Sequence, residues 1–111
     1  RGYQLHLITN GFEVVQHNKL KYSGLTAYFK EVITSEASNS LKPHKEIFEY
    51  AFDKTGAQPH HSIMIGDDIE ADINGARNGG IDQVFVNHKN NPATVDATHT
   101  VHSLNELRNI L

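Results

Sequence analysis

The sequence contains no cysteine. That excludes a disulfide framework, a thiol nucleophile and any metal site built on thiolates. It also fits a cytoplasmic protein, the localisation expected here. No run of apolar residues is long enough to cross a bilayer, so no membrane partner is expected. No excess of positive charge is present: ten Lys and Arg against thirteen Asp and Glu leave a formal net charge of -3. A nucleic acid polymer, which needs a basic footprint, is therefore not an expected partner. The eight histidines are scattered, with no His-Glu-x-x-His pattern among them, and read as ordinary surface or strand residues. Repeats, low-complexity tracts and interdomain linkers are lacking too. With 111 residues the chain suits one small domain.

What is present is an alternation of short apolar runs and amphipathic stretches. Tyr3 to Thr9 reads as a strand, broken by Asn10-Gly11, and a helix follows from about Phe12 to Tyr22. Val32-Ile33 is a short strand, and Ser35 to Ser40 reads as a polar loop. Pro43 is expected at the first position of a helix whose stripe is Ile47, Phe48, Ala51 and Phe52, with Gly56 as its stop. Ile63 to Ile65 is a buried strand, and Ile69 to Asn78 a helix closed by Gly79-Gly80. Val84 to Val86 is another buried strand, His88 to Ala97 a surface loop, and Thr98 to Val101 a short edge strand. Ser103 and Glu106 have the spacing of a capping box for a last helix. Strands alternating with helices predict an α/β fold with a parallel sheet.

Three motifs carry chemistry. The most informative is the turn after Ile63-Met64-Ile65, where Gly66 is followed by Asp67, Asp68 and Asp72. Open α/β sheets place ligand chemistry at the carboxyl ends of their strands. Carboxylates grouped there suit Mg²⁺, which takes one or two of them and leaves room for phosphate oxygens. The plain alternative is a loop in which Asp68 caps the next helix. The second motif is Thr9-Asn10-Gly11, a hydroxyl beside a glycine turn whose N–H groups can cradle an anion, or a strand-to-helix turn with Asn10 as a cap. The third is Lys42-Pro43, where a cation near a helix amino end can clamp an anion or can simply be a solvated lysine. Together a hydroxyl turn, a lysine and an acidic turn make a set suited to phosphoryl transfer, which depends mainly on positioning and electrostatic stabilisation.

On these residues the chain resembles the carboxyl-terminal part of a haloacid dehalogenase (HAD) superfamily hydrolase. It looks closest to the phosphatases that resemble pyrimidine 5′-nucleotidases. Ile8-Thr9-Asn10-Gly11-Phe12, then Lys42-Pro43 with Ile47-Phe48, then Gly66-Asp67-Asp68 with Asp72-Ile73 and Gly75-Ala76 match in type and order. The resemblance implies a Rossmann-like parallel sheet with flanking helices, spanning residues 1–111 as part of a core domain. It implies that Thr9, with the backbone of Asn10 and Gly11, binds phosphoryl oxygens of the substrate. Lys42 would stabilise the nucleophile's charge and the transition state. Asp67 would bind Mg²⁺, and Asp72 would support the metal or orient Lys42. Asp68 falls at a variable position and is expected to cap.

The family's nucleophile lies in an Asp-x-Asp motif at the end of its first strand, and no Asp-x-Asp occurs in this sequence. The cap inserted after that strand is not represented either. The chain is therefore expected to be a fragment of a Mg²⁺-dependent phosphatase that uses an aspartyl-phosphate, and to be inactive alone. Its expected substrate is a small phosphorylated metabolite, with a nucleotide suggested by the resemblance only. Without the first strand, the strands ending at Thr9 and Ile65 are expected to have open edges. These would be filled by an amino-terminal segment, closed against each other, or covered in a homo-oligomer. The alternative is a non-catalytic pseudo-enzyme that assembles through those edges.

Overall fold

The computed structural model describes residues 3–24, 26–90, 92 and 95–111. The Arg1-Gly2 start and part of the expected His88–Ala97 loop (Asn91, Ala93 and Thr94) lie outside the described residues. The chain divides into two units, Arg1–Ala57 and Gln58–Leu111, each built on its own parallel sheet.

In the first unit β1 (His6–Thr9) runs parallel to β2 (Glu31–Thr34), with Thr9 opposite Thr34. A parallel pair needs a crossover. Here it is α1 (Glu13–Ser23), which ends at Gly24 in a left-handed conformation (φ 74°). β1 is shorter than the Tyr3–Thr9 strand expected. Its ladder with β2 begins at His6 opposite Glu31, just beyond the point where Lys30 N–H donates to the Leu5 carbonyl at 2.8 Å.

The expected polar loop from Ser35 to Ser40 is in part a helical turn, α2 (Ser35–Ser38). The Thr34 hydroxyl accepts from Ala37 N–H at 3.0 Å, the Ser38 hydroxyl donates to the Thr34 carbonyl at 2.8 Å, and Asn39 closes the turn at φ 54°. Short polar side chains that compete for the backbone in loops here hold one turn of helix.

The next helix, α3 (Lys45–Thr55), starts later than expected. Its N-cap is His44, so Pro43 precedes the helix instead of opening it. Leu41 to His44 form a tight turn, closed by His44 N–H to the Leu41 carbonyl at 2.9 Å, with a cis Lys42–Pro43 peptide inside it. Of the expected stripe Ile47, Phe48 and Ala51 are buried and Phe52 is half-buried, and α3 packs on β2. Gly56 (φ 72°) stops the helix by donating to the Phe52 carbonyl.

In the second unit β3 (Ile63–Gly66), β4 (Asp82–Val86) and β5 (His99–Val101) lie in that order, all parallel. Val84, Val86 and Val101 form one core cluster, with Ile63, Ile65, Leu107 and Ile110 packed against it, and Ile73, Ala76 and Phe85 are buried as well. β4 is flanked on both sides, and all of it but Asp82 is buried. β3 is equally apolar in Ile63, Met64 and Ile65 but is half-buried throughout. Among the described strands β3 pairs only with β4, and β1 only with β2.

The helix expected over Ile69–Asn78 is present in two parts. A π-helical segment spans Ile69–Asn74 and runs into α4 (Gly75–Asn78). The Asp68 carbonyl accepts from both Asp72 N–H (2.9 Å) and Ile73 N–H (3.3 Å), which widens the first turn. The last helix, expected after the Ser103/Glu106 box, is a 3₁₀ helix over Leu104–Asn109. The Glu106 carboxylate reaches back to the N–H groups of His102 and Ser103. The architecture is the α/β arrangement of parallel strands and flanking helices that the sequence predicts.

Candidate functional site

The candidate residues fall into two groups, one in each unit. In the first unit Thr9 is the last residue of β1 and is half-buried. Asn10 and Gly11 turn the chain towards α1. The Gly11 carbonyl accepts from the Ser35 hydroxyl at 3.2 Å, which ties this turn to the end of β2. A Cβ on Gly11 would overlap the Gln16 amide. The Asn10 side chain faces Lys42: its Oδ1 accepts from Lys42 N–H at 2.8 Å, and its Nδ2 donates to the Lys42 carbonyl at 3.2 Å.

Lys42 is therefore placed by the tight turn and by Asn10. It lies three residues before α3, beyond the first turn in which a helix dipole acts. An open cleft of about 950 Å³ runs beside Asn10, Gly11, Phe12, Ser35, Leu41 and His44. It adjoins the carboxyl ends of β1 and β2, the end at which parallel sheets take ligands.

In the second unit the acidic turn follows Gly66. Asp68 caps the next helix, its Oδ1 accepting from Ala71 N–H at 2.8 Å. Asp72 is buried (5% exposed), and its Oδ2 accepts from Asp68 N–H at 3.2 Å. A Cβ at position 66 would overlap the Asp72 carboxyl group and its Cβ, so glycine is required for this close approach.

Asp67 points outward. Its Oδ2 accepts a hydrogen bond from His88 Nε2 at 2.8 Å. That bond is the main reason its pKa lies below the ordinary aspartate value. Partial burial opposes the shift, while the charges of His88 and Lys89 reinforce it. Beside the pair is an open cavity of about 520 Å³, with Asp67, His88, His102 and Ser103 over Ile65 and Val86.

The sequence reading missed His88. No residue pattern marks it, yet strand adjacency does. β4 lies beside β3 with Phe85 opposite Gly66, so the residues just after Val86 neighbour those just after Gly66.

The donor set can be tested against Mg²⁺. Among the described residues no group of three or more His, Cys, Asp or Glu side chains could cage an ion. Mg²⁺ does not need such a cage. It binds through one or two carboxylates and fills its remaining positions with water or substrate oxygens. An anionic, outward-facing Asp67 fits one of those positions.

The fold and the acidic turn define a class, and comparison with known proteins agrees with it. Residues 1–86 match the family model of the haloacid dehalogenase-like hydrolases, and the chain belongs to that family. It is 38% identical over 112 aligned positions to pyrimidine 5′-nucleotidase YjjG of Escherichia coli, covering 97% of this chain and 49% of that protein. It is 39% identical over 87 positions to glyceraldehyde 3-phosphate phosphatase of Methanothermobacter thermautotrophicus, covering 78% of this chain and 38% of that protein. The crystal structure of YfnB from Bacillus subtilis, bound to magnesium, matches with a TM-score of 0.93 at 34% identity, over 98% of this chain and 49% of that one. The chain thus spans half or less of the length of these relatives.

Proposed function

We propose that this chain is the carboxyl-terminal part of the core domain of a Mg²⁺-dependent HAD phosphohydrolase that cleaves small phosphate esters. The observation that carries the reading is the acidic turn at the end of β3, with Asp67 anionic and outward and Asp72 buried behind it. Family membership and the phosphatase and nucleotidase relatives support the same reaction class.

In this reading the Thr9 hydroxyl and the N–H groups of Asn10 and Gly11 donate to phosphoryl oxygens. The Lys42 ammonium neutralises charge on the nucleophile and on the transferring group. Asp67 supplies a carboxylate to Mg²⁺, and Asp72 braces the turn that presents it. Mg²⁺, when bound, offsets the negative charge of the phosphate and aligns it for attack. The nucleophile is an aspartate of an Asp-x-Asp motif that the present sequence does not hold, and its phosphorylated form is hydrolysed in a second step. The half-buried apolar β3, paired only with β4 among the described strands, supports a further strand beside it, from the same polypeptide or from a second copy.

The relatives' names suggest the substrates to try first, pyrimidine 5′-mononucleotides and glyceraldehyde 3-phosphate. The test is phosphate release from such a panel by the full-length natural protein, with Mg²⁺ and with a chelator. Magnesium-dependent release supports the reading. No release from any phosphomonoester would overturn it in favour of a non-catalytic binding module.

A further inference from the structure

We infer that the Asn10 side chain is a positioning residue for Lys42 and not a substrate ligand. The inference rests on the proposed role of Lys42 and adds a residue that acts through it. Two hydrogen bonds carry it: Lys42 N–H to Asn10 Oδ1 at 2.8 Å, and Asn10 Nδ2–H to the Lys42 carbonyl at 3.2 Å. A primary amide offers one acceptor and one donor on the same face, and the peptide unit around Lys42 offers their complements. The pairing is bidentate, so it fixes direction as well as distance. It joins residues 32 apart in sequence.

The clamp adds a tie from the sheet to a turn that is otherwise closed by its own His44–Leu41 hydrogen bond. Lys42 lies outside any helix or strand, in the tight turn from Leu41 to His44. Regular secondary structure therefore does not set its backbone. The Asn10 side of the clamp is held more firmly. Asn10 follows the last residue of β1, and the adjacent Gly11 carbonyl accepts from Ser35 Oγ at the end of β2. The sheet thus fixes Asn10, and Asn10 fixes the peptide of Lys42.

A side chain whose oxygen and nitrogen both face a peptide has little left for substrate. The amide oxygen keeps one lone pair and the amide nitrogen one proton. The contribution of Asn10 to phosphate binding is then its backbone N–H, while its side chain orients the lysine.

Two measurements on the full-length natural protein test this. The first is amide hydrogen exchange at Lys42. Asn10→Ala should speed it roughly fivefold or more, the scale of one lost hydrogen bond. Asn10→Asp keeps the acceptor and should leave the exchange near that of the unmodified protein. The second is a double-mutant cycle on kcat and KM with a phosphomonoester. Asn10→Ala alone should lower kcat with little change in KM, and in a Lys42→Ala background it should have no further effect.

Unchanged exchange in Asn10→Ala would overturn the clamp. So would a rise in KM alone, or losses that simply add in the double variant, since both describe a side chain that touches substrate. Full activity in Lys42→Ala would instead overturn the catalytic role of Lys42, and the exchange result would still decide whether the clamp exists.

Discussion

His88 donates from Nε2 to Oδ2 of Asp67 at 2.8 Å, joining the loop after β4 to the acidic turn after β3. The carboxylate is acceptor-only when ionised, so the histidine nitrogen carries the proton in this bond whether the ring is neutral or charged. Replacing His88 with alanine removes the largest cause of the depressed Asp67 pKa. The Asp67 titration should then move up towards the ordinary aspartate range. A carboxyl-carbon NMR titration reads this directly, and an unchanged curve would show that the bond does not form in solution. The sign for stability follows from the depressed value: the pair contributes above the unfolded aspartate pKa, and the contribution is lost as pH falls through the lower folded value. Both side chains are about half exposed, 46% and 56%, so the contribution is at most about 1 kcal/mol.

The proposed roles of Asp67 and Lys42 separate by kinetics in the full-length protein. Asp67→Asn keeps the shape and removes the anion, and should abolish magnesium-dependent turnover. Lys42→Ala should cost at least about a hundredfold in kcat, the scale for loss of one electrostatic stabiliser. Near-normal rates in both variants would sink the assignment.

Gly66→Ala tests the packing beneath the acidic turn. The added methyl would meet the body of the Asp72 side chain, including its Cβ, and not merely a movable tip. Overpacking of this kind costs about 1–3 kcal/mol. Urea denaturation should show the midpoint falling by a corresponding amount, and an unshifted midpoint would mean that Asp72 moves away freely.

Glu106 gives a prediction in acid. Its pKa is lowered by the hydrogen bonds it accepts from the N–H groups of His102 and then Ser103. The stabilisation is complete above the ordinary glutamate pKa and is lost as pH falls through the depressed value. The N–H groups of His102 and Ser103 should therefore lose exchange protection in acid, and Glu106→Ala should show the loss already at neutral pH. Protection that is the same in the variant would count against the reach-back bond.

Several of these features can be read in the sequence, and the reason is local. The strand before the acidic turn, the Asp68 cap and the Ser103/Glu106 spacing are set by residues within a few positions of one another. The Ile47, Phe48 and Ala51 stripe needs only helical period. The features that escape are those with a partner elsewhere. His88 is unremarkable until β4 is known to lie beside β3. Asn10 reads as a helix cap until the chain returns 32 residues later with Lys42. Pro43 reads as a helix start because its fixed φ suits both that position and the turn it occupies. The short helix after β2 depends on Thr34 and Ser38 hydroxyls, which favour loops as readily.

The widened turn at Ile69–Asn74 has a consequence for how this segment tolerates change in length. A π-turn is one residue inserted into an α-helix, and each residue advances the helix by about 100°. Deleting Ala71 would restore an even spiral, but it would swing everything before the cut by a quarter-turn or more relative to the residues beyond it. Asp68 and Asp67 would then leave their present bearings while Ile73 and Ala76 kept theirs in the interior. The extra residue thus acts as a phase setting between the acidic turn and the core, and the segment should accept substitutions far more readily than single-residue insertions or deletions.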